Sequence, residues 1–345
     1  MMLFRSARTS DLDAIYQLAE HCGIGMTTLP KDKGLLHNRL DWSCQSFHKA
    51  ANSPSNEYYL FVLEEPESAR VVGTSAIESA IGHDAPFYSY KLSKRTRICR
   101  SLNIRSDYEI LNLVNDYQGS SEICTLFLEP SFRHSHNGLL LSRARFLFMA
   151  HFPTRFAPTV IAEMRGISDD AGHSPFWDNI GRHFFHMPFP EADRLTLSTN
   201  KQFIADLMPR GSLYVKLLAP TAQAVIGKPH QSTAPAMSIL LHEGFRYNNY
   251  IDIFDAGPTL EAPRTQIKTI STSRIMTIKN LSDEVSAKRF LLSNTKLDFR
   301  ATVSQVIINE LHSSCIISKK TAQLLEVKPG DCLRMAPLQL DNQPL

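Results

Sequence analysis

The run Phe127-Leu128-Glu129-Pro130-Ser131-Phe132-Arg133-His134-Ser135-His136-Asn137-Gly138 carries the clearest chemistry in the sequence. An apolar strand, Ile123–Leu128, leads into a polar turn, and the turn opens a strongly apolar helix over Gly138–Ala150. A helix start presents unpaired N–H groups and a partial positive charge, which suits a pyrophosphate. Gly138 lets the backbone come close to such a ligand, and Arg133 adds a fixed charge with forked donors. Cys124 is a nucleophile beside this run, but an apolar strand raises a thiol's pKa and blunts its reactivity.

A scaffold of strands and helices must hold this turn. Leu3–Ala7 reads as a first strand. The cap signal Thr9-Ser10-Asp11 then opens a helix with Leu12, Ile15, Tyr16, Leu18 and Ala19 on one face, stopping at Gly23. Lys33–Ala50 reads as a second helix. Tyr58–Leu63 and Val71–Ile77 read as strands joined by a polar hairpin, and Gly82–Gln118 is polar and tyrosine-rich with strand-like pieces. After the apolar helix come a strand, Thr159–Met164, and a short helix, Ser174–Phe185. The order β-α-α-β-β-β-α-β-α is an α/β layout with a helical crossover after the central strand.

Further on, Asp193–Ala224 is helix-rich, and Ala234–His242 reads as a helix closed by Gly244. Phe245–Tyr247 and Tyr250–Phe254 read as strand material, and Asp255–Pro258 as a turn. From Pro263 the chain suggests short strands, with a short helix in Thr321–Asp331 and a last strand at Cys332–Met335. These shifts divide the 345 residues into 1–190, 191–262 and 263–345. The first two are α/β regions with a mixed α+β sheet, and the third is a small β-rich unit.

Bulk properties exclude several classes. The net charge of +3 and the short, interrupted basic run Lys91–Arg100 argue against a nucleic-acid partner. There is no apolar run near 18–20 residues, so no membrane span is expected. Met1–Arg8 reads as a strand and is too short for a signal peptide. The six cysteines form no CxxC pair and have no zinc-finger spacing, so no metal is expected. Free thiols in a cytoplasmic protein are the expectation.

In its place after three strands and two helices, the polar turn resembles the cofactor loop of the GNAT-type N-acyltransferases, Arg/Gln-x-x-Gly-x-Gly/Ala. Arg133 and Gly138 fit. His136 stands at the middle glycine and bears on the turn geometry, because His accepts positive φ less readily than Gly. Longer runs are more specific. Met26-Thr27-Thr28-Leu29-Pro30, Gly119–Leu128, Ala162-Glu163-Met164-Arg165-Gly166, Ser174-Pro175-Phe176-Trp177 and Glu243–Asp255 resemble the arginine N-succinyltransferase family. That family includes single-chain arginine enzymes and the subunits of an arginine/ornithine enzyme.

The resemblance implies a GNAT-like acyltransferase fold in the first region. It implies transfer of succinyl from succinyl-CoA to the α-amine of L-arginine, the first step of a degradation ending in glutamate. Succinyl-CoA is then a cosubstrate, with no permanently bound cofactor. A homo-oligomer, or a hetero-oligomer with a related chain, is implied as well. The residue matching Leu126 binds succinyl-CoA in that family, so Leu126, Arg133, Asn137 and Gly138 are the cofactor-binding candidates. The family's catalytic histidine carries to His230, preceded here by Pro229, a departure that bears on the local backbone. Direct attack of the amine on the thioester needs an oxyanion donor, such as an N–H of the Cys124–Leu128 strand, and a proton carrier at the thiolate. The substrate guanidinium has candidate partners in Glu163, Asp206, Asp252 and Asp255, and the succinyl carboxylate in Arg165, Arg182 and Arg246. The alternatives are the same fold serving ornithine, another amine or another acyl-CoA such as acetyl-CoA, or a non-catalytic subunit.

Overall fold

The computed structural model describes residues 1–23, 25–198, 202–283 and 288–338. The strands are Leu3–Ser6 (β1), Tyr58–Glu65 (β2), Arg70–Glu78 (β3), Ser89–Cys99 (β4), Ile104–Val114 (β5), Ser121–Leu128 (β6), Thr159–Glu163 (β7) and Leu213–Tyr214 (β8). They continue with Arg246–Ile251 (β9), Pro258–Pro263 (β10), Arg274–Leu281 (β11), Arg289–Ser293 (β12), Arg300–Gln305 (β13), Ile307–Asn309 (β14), Ser314–Ile317 (β15) and Cys332–Pro337 (β16). All lie in one mixed sheet, in the order β14-β15-β11-β16-β12-β13-β1-β2-β3-β6-β7-β10-β9-β4-β5-β8. Only β6–β7 and β11–β15 are parallel neighbours among the described residues.

Alternation in β2 shows why the middle of the sheet is a nearly unbroken apolar run. Tyr58, Leu60 and Val62 face a core with Ile15, Leu18, Leu36 and Leu40 of the helices Leu12–His21 (α1) and Lys33–His48 (α2). Tyr59, Phe61 and Leu63 face the opposite core, built on the helix Asn137–His151 (α3). A strand covered on both faces reads as continuous hydrophobic sequence. The helix α3 is itself buried from Leu140 through Met149, as expected of a helix apolar all round. Its core also takes in Leu291, Phe299, Ala301 and Ala336 of the C-terminal region. There, β13 hydrogen-bonds β1 (Phe4 opposite Ala301), so the C-terminal strands extend the same sheet.

Local signals explain the helix boundaries. Asp32 caps α2 by accepting the Leu35 N–H at 2.9 Å. Asp11 accepts the Arg8 N–H at 2.7 Å ahead of α1 and pairs with the buried Arg5. Three expectations change. Ser174–Phe185 is two short helices, Pro175–Asn179 and Gly181–Phe185, broken at Ile180. The segment after Tyr250 is not strand beyond Ile251. The Asp252 carboxylate accepts the N–H groups of Phe254 and Asp255 at 2.7 and 2.8 Å, folding them into a turn. The chain then returns directly as β10, a strand bounded by Pro258 and Pro263 that the sequence disguises.

Candidate active site

The central feature is a parting of strands. β6 pairs with β7 only at Ser121–Val160 and Glu122–Ile161. Beyond Glu122, β6 follows β3 alone, while β7 follows β10 over all five of its residues. A wedge therefore opens beside Ile123–Leu128, with backbone amide groups along one wall. Within it, Thr74 faces Phe127 and Ala76 faces Cys124, so Thr125 and Leu126 stand opposite the single Ser75. This is a bulge, with Thr125 at φ 55°.

A β-branched residue at positive φ costs about 1–3 kcal/mol, so its surroundings must hold it there. Tyr58 Oη and Thr125 Oγ1 lie 3.0 Å apart, and Thr74 Oγ1 donates to the Thr125 carbonyl at 3.0 Å. From beneath, Arg145 of α3 reaches the carbonyls of Ala76 and Cys124, each at 3.4 Å. Burial lowers this guanidinium's pKa to about 10. From the other side, Thr125 Oγ1 donates to Thr28 O at 3.4 Å, and Arg39 holds the same carbonyl at 2.9 Å. The loop Met26–Pro30 is thus pinned against the bulge. Leu126 is half-buried and packs on the α3 core.

The turn before α3 is held from inside. Arg133 Nε donates to Leu128 O at 3.0 Å, leaving the tip of its exposed guanidinium to solvent. Asn137 is buried, and its side-chain amide donates to Phe132 O at 3.0 Å. Ser135 and His136 are both left-handed, at φ 51° and 67°, so His136 adopts the conformation for which glycine is the easier residue. The Asn137 N–H goes to His134 O and the Leu140 N–H to His136 O. Gly138 and Leu139 then sit in the first turn, and no backbone carbonyl among the described residues accepts their N–H groups. A Cβ on Gly138 would meet nothing within 4 Å, so the approach to these N–H groups is open. Burial pushes the Cys22 thiol up to about 12, while the charges of Lys31 and Arg133 oppose the rise.

His230 lies in the loop after the helix Pro220–Val225. Its N–H donates to Arg165 O at 2.8 Å. Its Nδ1 accepts the Ser232 N–H at 3.2 Å and lies 2.7 Å from Ser232 Oγ. A ring nitrogen that accepts an N–H carries no proton, so the neutral ring presents Nε2–H. Partial burial, then the Arg165 charge, lower the His230 pKa, with Asp170 opposing. Arg165 follows β7 and passes over Gly23 and Gly25. A Cβ on Gly23 would stand 2.8 Å from its Nη1. Close backbone packing fixes the stem of this segment. A Cβ on Gly257 would collide with Met164 O, and one on Gly166 with Asp255 O. The buried Asp255 carboxylate accepts the Gly166 and Gly257 N–H groups at 2.7 and 2.9 Å, although burial and Asp252 push its pKa up.

The whole chain matches known proteins. Residues 2–269 match the family Arginine N-succinyltransferase beta subunit, and residues 274–337 its C-terminal domain. The chain belongs to the arginine N-succinyltransferase family. It is 41% identical over 340 residues to the arginine N-succinyltransferase of Enterobacter sp. (strain 638), covering 98% of each chain. It is 41% identical over 343 residues to arginine N-succinyltransferase subunit beta of Pseudomonas aeruginosa, covering 99% of this chain and 100% of that one. The solved structure of arginine/ornithine succinyltransferase subunit AI from Pseudomonas aeruginosa superposes with TM-score 0.89 at 34% identity, over 99% of both chains. The mixed α/β acyltransferase fold expected from sequence is therefore present.

In this arginine N-succinyltransferase family member, the candidate residues fall into two groups linked by contacts. Leu126, Arg133, Asn137 and Gly138 lie along β6 and the start of α3. His230 neighbours them through Arg165, which passes over Gly23 and Gly25, and Thr28 of the following loop touches Thr125. Asp252 binds backbone N–H groups of its own loop, Asp255 binds those of Gly166 and Gly257, and Arg182 pairs with Asp178 at 3.2 Å. None of those three is poised for substrate. Thr125, Tyr58 and Arg39 shape the wedge and carry no motif of their own. The Gly119–Leu128 run contains Thr125, and the Met26–Pro30 run packs against it.

Cys124 is buried, and burial raises its thiol pKa far above the ordinary range. A Cys124→Ala chain is therefore expected to keep turnover within about threefold while losing on the order of 1 kcal/mol of stability. Steady-state and pre-steady-state CoA release would check this, and a lost burst with abolished turnover would instead indicate an acyl-cysteine intermediate.

No helix among the described residues is long and apolar enough to cross a membrane, and no cluster of three metal-ligating side chains occurs among them.

Proposed function

We propose that this chain transfers the succinyl group of succinyl-CoA to the α-amine of L-arginine, giving CoA and N2-succinyl-L-arginine. The observation that carries the reading is the wedge between β6 and β7, with its bulge at Thr125, in a chain matched end to end by the family. Succinyl-CoA lies along β6, its pantetheine amides against the backbone near Leu126. Its pyrophosphate meets the Gly138 end of α3 and Arg133, while Asn137 keeps the turn closed. The neutral amine attacks the thioester carbonyl, and an N–H of β6 receives the oxyanion. His230 then carries the proton to the leaving thiolate. Holding both substrates in the wedge supplies much of the rate.

The cytoplasm suits a CoA substrate and six unpaired cysteines. Homo-oligomer formation, or assembly with a related chain, is the expected state. A thiol-release assay with succinyl-CoA and arginine, ornithine or lysine tests the activity. Fastest CoA release with arginine is expected. Faster release with ornithine, or with acetyl-CoA in place of succinyl-CoA, would reassign the substrate. No release with any pair would leave the chain a non-catalytic subunit.

A further inference from the structure

Arg165 is the residue whose placement the fold explains least well without a ligand. It stands two residues past the end of β7, on the far wall of the wedge from β6. Its main chain anchors the histidine loop, because Arg165 O accepts the His230 N–H at 2.8 Å. Its side chain runs over bare backbone. A Cβ on Gly23 would lie 2.8 Å from Nη1, and one on Gly25 would lie 3.4 Å from Nε. The two glycines therefore leave a slot that the guanidinium fills.

One donor of that half-buried guanidinium is unanswered inside the protein. Nη2 donates to Ser168 Oγ at 3.0 Å, a neutral acceptor. Nε is buried and has no partner. Arg165 forms no salt bridge among the described residues, although Asp255, Asp170 and Asp193 act on it from longer range. Of these, the Asp255 oxygens already hold the N–H groups of Gly166 and Gly257. Other arginines taken out of solvent are answered more fully: Arg145 and Arg155 each reach several carbonyl or hydroxyl oxygens, and two more meet carboxylates. Arg5 meets Asp11 and Glu64, and Arg143 meets Glu243. A half-buried cation with a buried donor unpaired and no anion in contact is costly, and a carboxylate that can take a forked pair of hydrogen bonds would compensate it.

We propose that Arg165 receives a carboxylate of the substrates at the transfer point and so selects for them. The assignment rests on the reaction proposed above, whose two substrates each bring a carboxylate: the free end of the succinyl group and the α-carboxylate of arginine. Either would sit beside His230, and the chemistry of recognition is the same. Arg165 is then a specificity-determining residue and carries no proton in the reaction.

Equilibrium binding separates this from the activity itself. The probes are succinyl-CoA against butyryl-CoA, which lacks the terminal carboxylate, and arginine against agmatine, which lacks the α-carboxylate. Each is titrated into the wild-type chain, Arg165→Gln and Arg165→Lys, and thermal melting checks that the variants fold. In one of the two pairs, Arg165→Gln is expected to weaken the carboxylate-bearing member by about 10- to 100-fold while leaving its uncharged partner near the wild-type value. Arg165→Lys, which keeps the charge and loses the fork, should fall between. The affected pair identifies which carboxylate is bound. An equal loss for both members of both pairs, or no loss in either, overturns the proposal. Because binding needs no turnover, an inactive wild-type chain would defeat the proposed reaction and still leave this result readable.

Discussion

Replacing His230 by alanine is expected to lower turnover of succinyl-CoA and arginine at least ~100-fold, the usual scale of a positioned acid–base group. The reason lies in how the ring is held. Ser232 gives its N–H to Nδ1, so the neutral imidazole has Nε2–H on its outer side. Partial burial and the Arg165 charge both disfavour the imidazolium, and lower the pKa from its ordinary 6.5. At neutral pH the ring is therefore mostly uncharged, with Nε2–H the proton it can give and Nδ1, on the Ser232 side, the nitrogen that can take one up. The acid limb of the rate should accordingly fall below pH 6.5, the ordinary histidine value. Arg165→Gln removes a charge that depresses the ring, so that limb should move to higher pH in the variant. Thiol release across pH 5–9 measures both effects. Turnover of His230→Ala close to wild type would remove His230 from the mechanism.

The largest expected effect on stability belongs to Glu243. This carboxylate follows the helix Ala234–His242 and is 1% exposed. It lies 2.8 Å from Arg143 Nε of α3, and accepts the Thr269 N–H at 2.7 Å and the Thr269 hydroxyl at 2.9 Å. Arg143 in turn donates to the carbonyls of Pro337 and Leu338 at 2.9 and 2.6 Å, at the end of β16. One buried ion pair thus joins four stretches of chain. Glu243→Ala leaves Arg143 as an uncompensated buried cation and orphans the Thr269 N–H. Breaking one side of such a pair typically costs 3–5 kcal/mol. Glu243→Gln should cost less, because its carbonyl oxygen can still accept from Thr269. Urea unfolding followed by circular dichroism would measure this. A loss below about 1 kcal/mol for Glu243→Ala would mean that the pair is dispensable.

The parts of the fold that follow from local pattern are legible in the sequence. Ile15, Leu18 and Ala19 mark the inner face of α1, and the apolar length of α3 announces a helix enclosed on every side. The parts set by distant contacts are not. Threonine at position 125 argues for plain strand, yet Tyr58, Thr74 and Thr28 together hold it at positive φ. Asp252 sits among strand-forming residues and bends them by binding two N–H groups. At the site, the strand–turn–helix from Ile123 onward could be found by its chemistry. His230 could be found only by resemblance, because its partner Arg165 lies 65 positions earlier in the numbering and meets it through tertiary packing.

The place of β1 in the sheet has a consequence for how the protein is made. β1 pairs on one side with β2 and on the other with β13, whose Ala301 faces Phe4. During synthesis the first pairing becomes possible early, but the second must wait for some 240 more residues, from Glu65 to Gln305. At ribosomal elongation rates of about 5–20 residues per second that wait is on the order of tens of seconds. Throughout it the nascent chain carries an open strand edge in the middle of its future sheet. A chain stopped before residue 300 would keep that edge permanently, and should be recovered in aggregates or bound to chaperones.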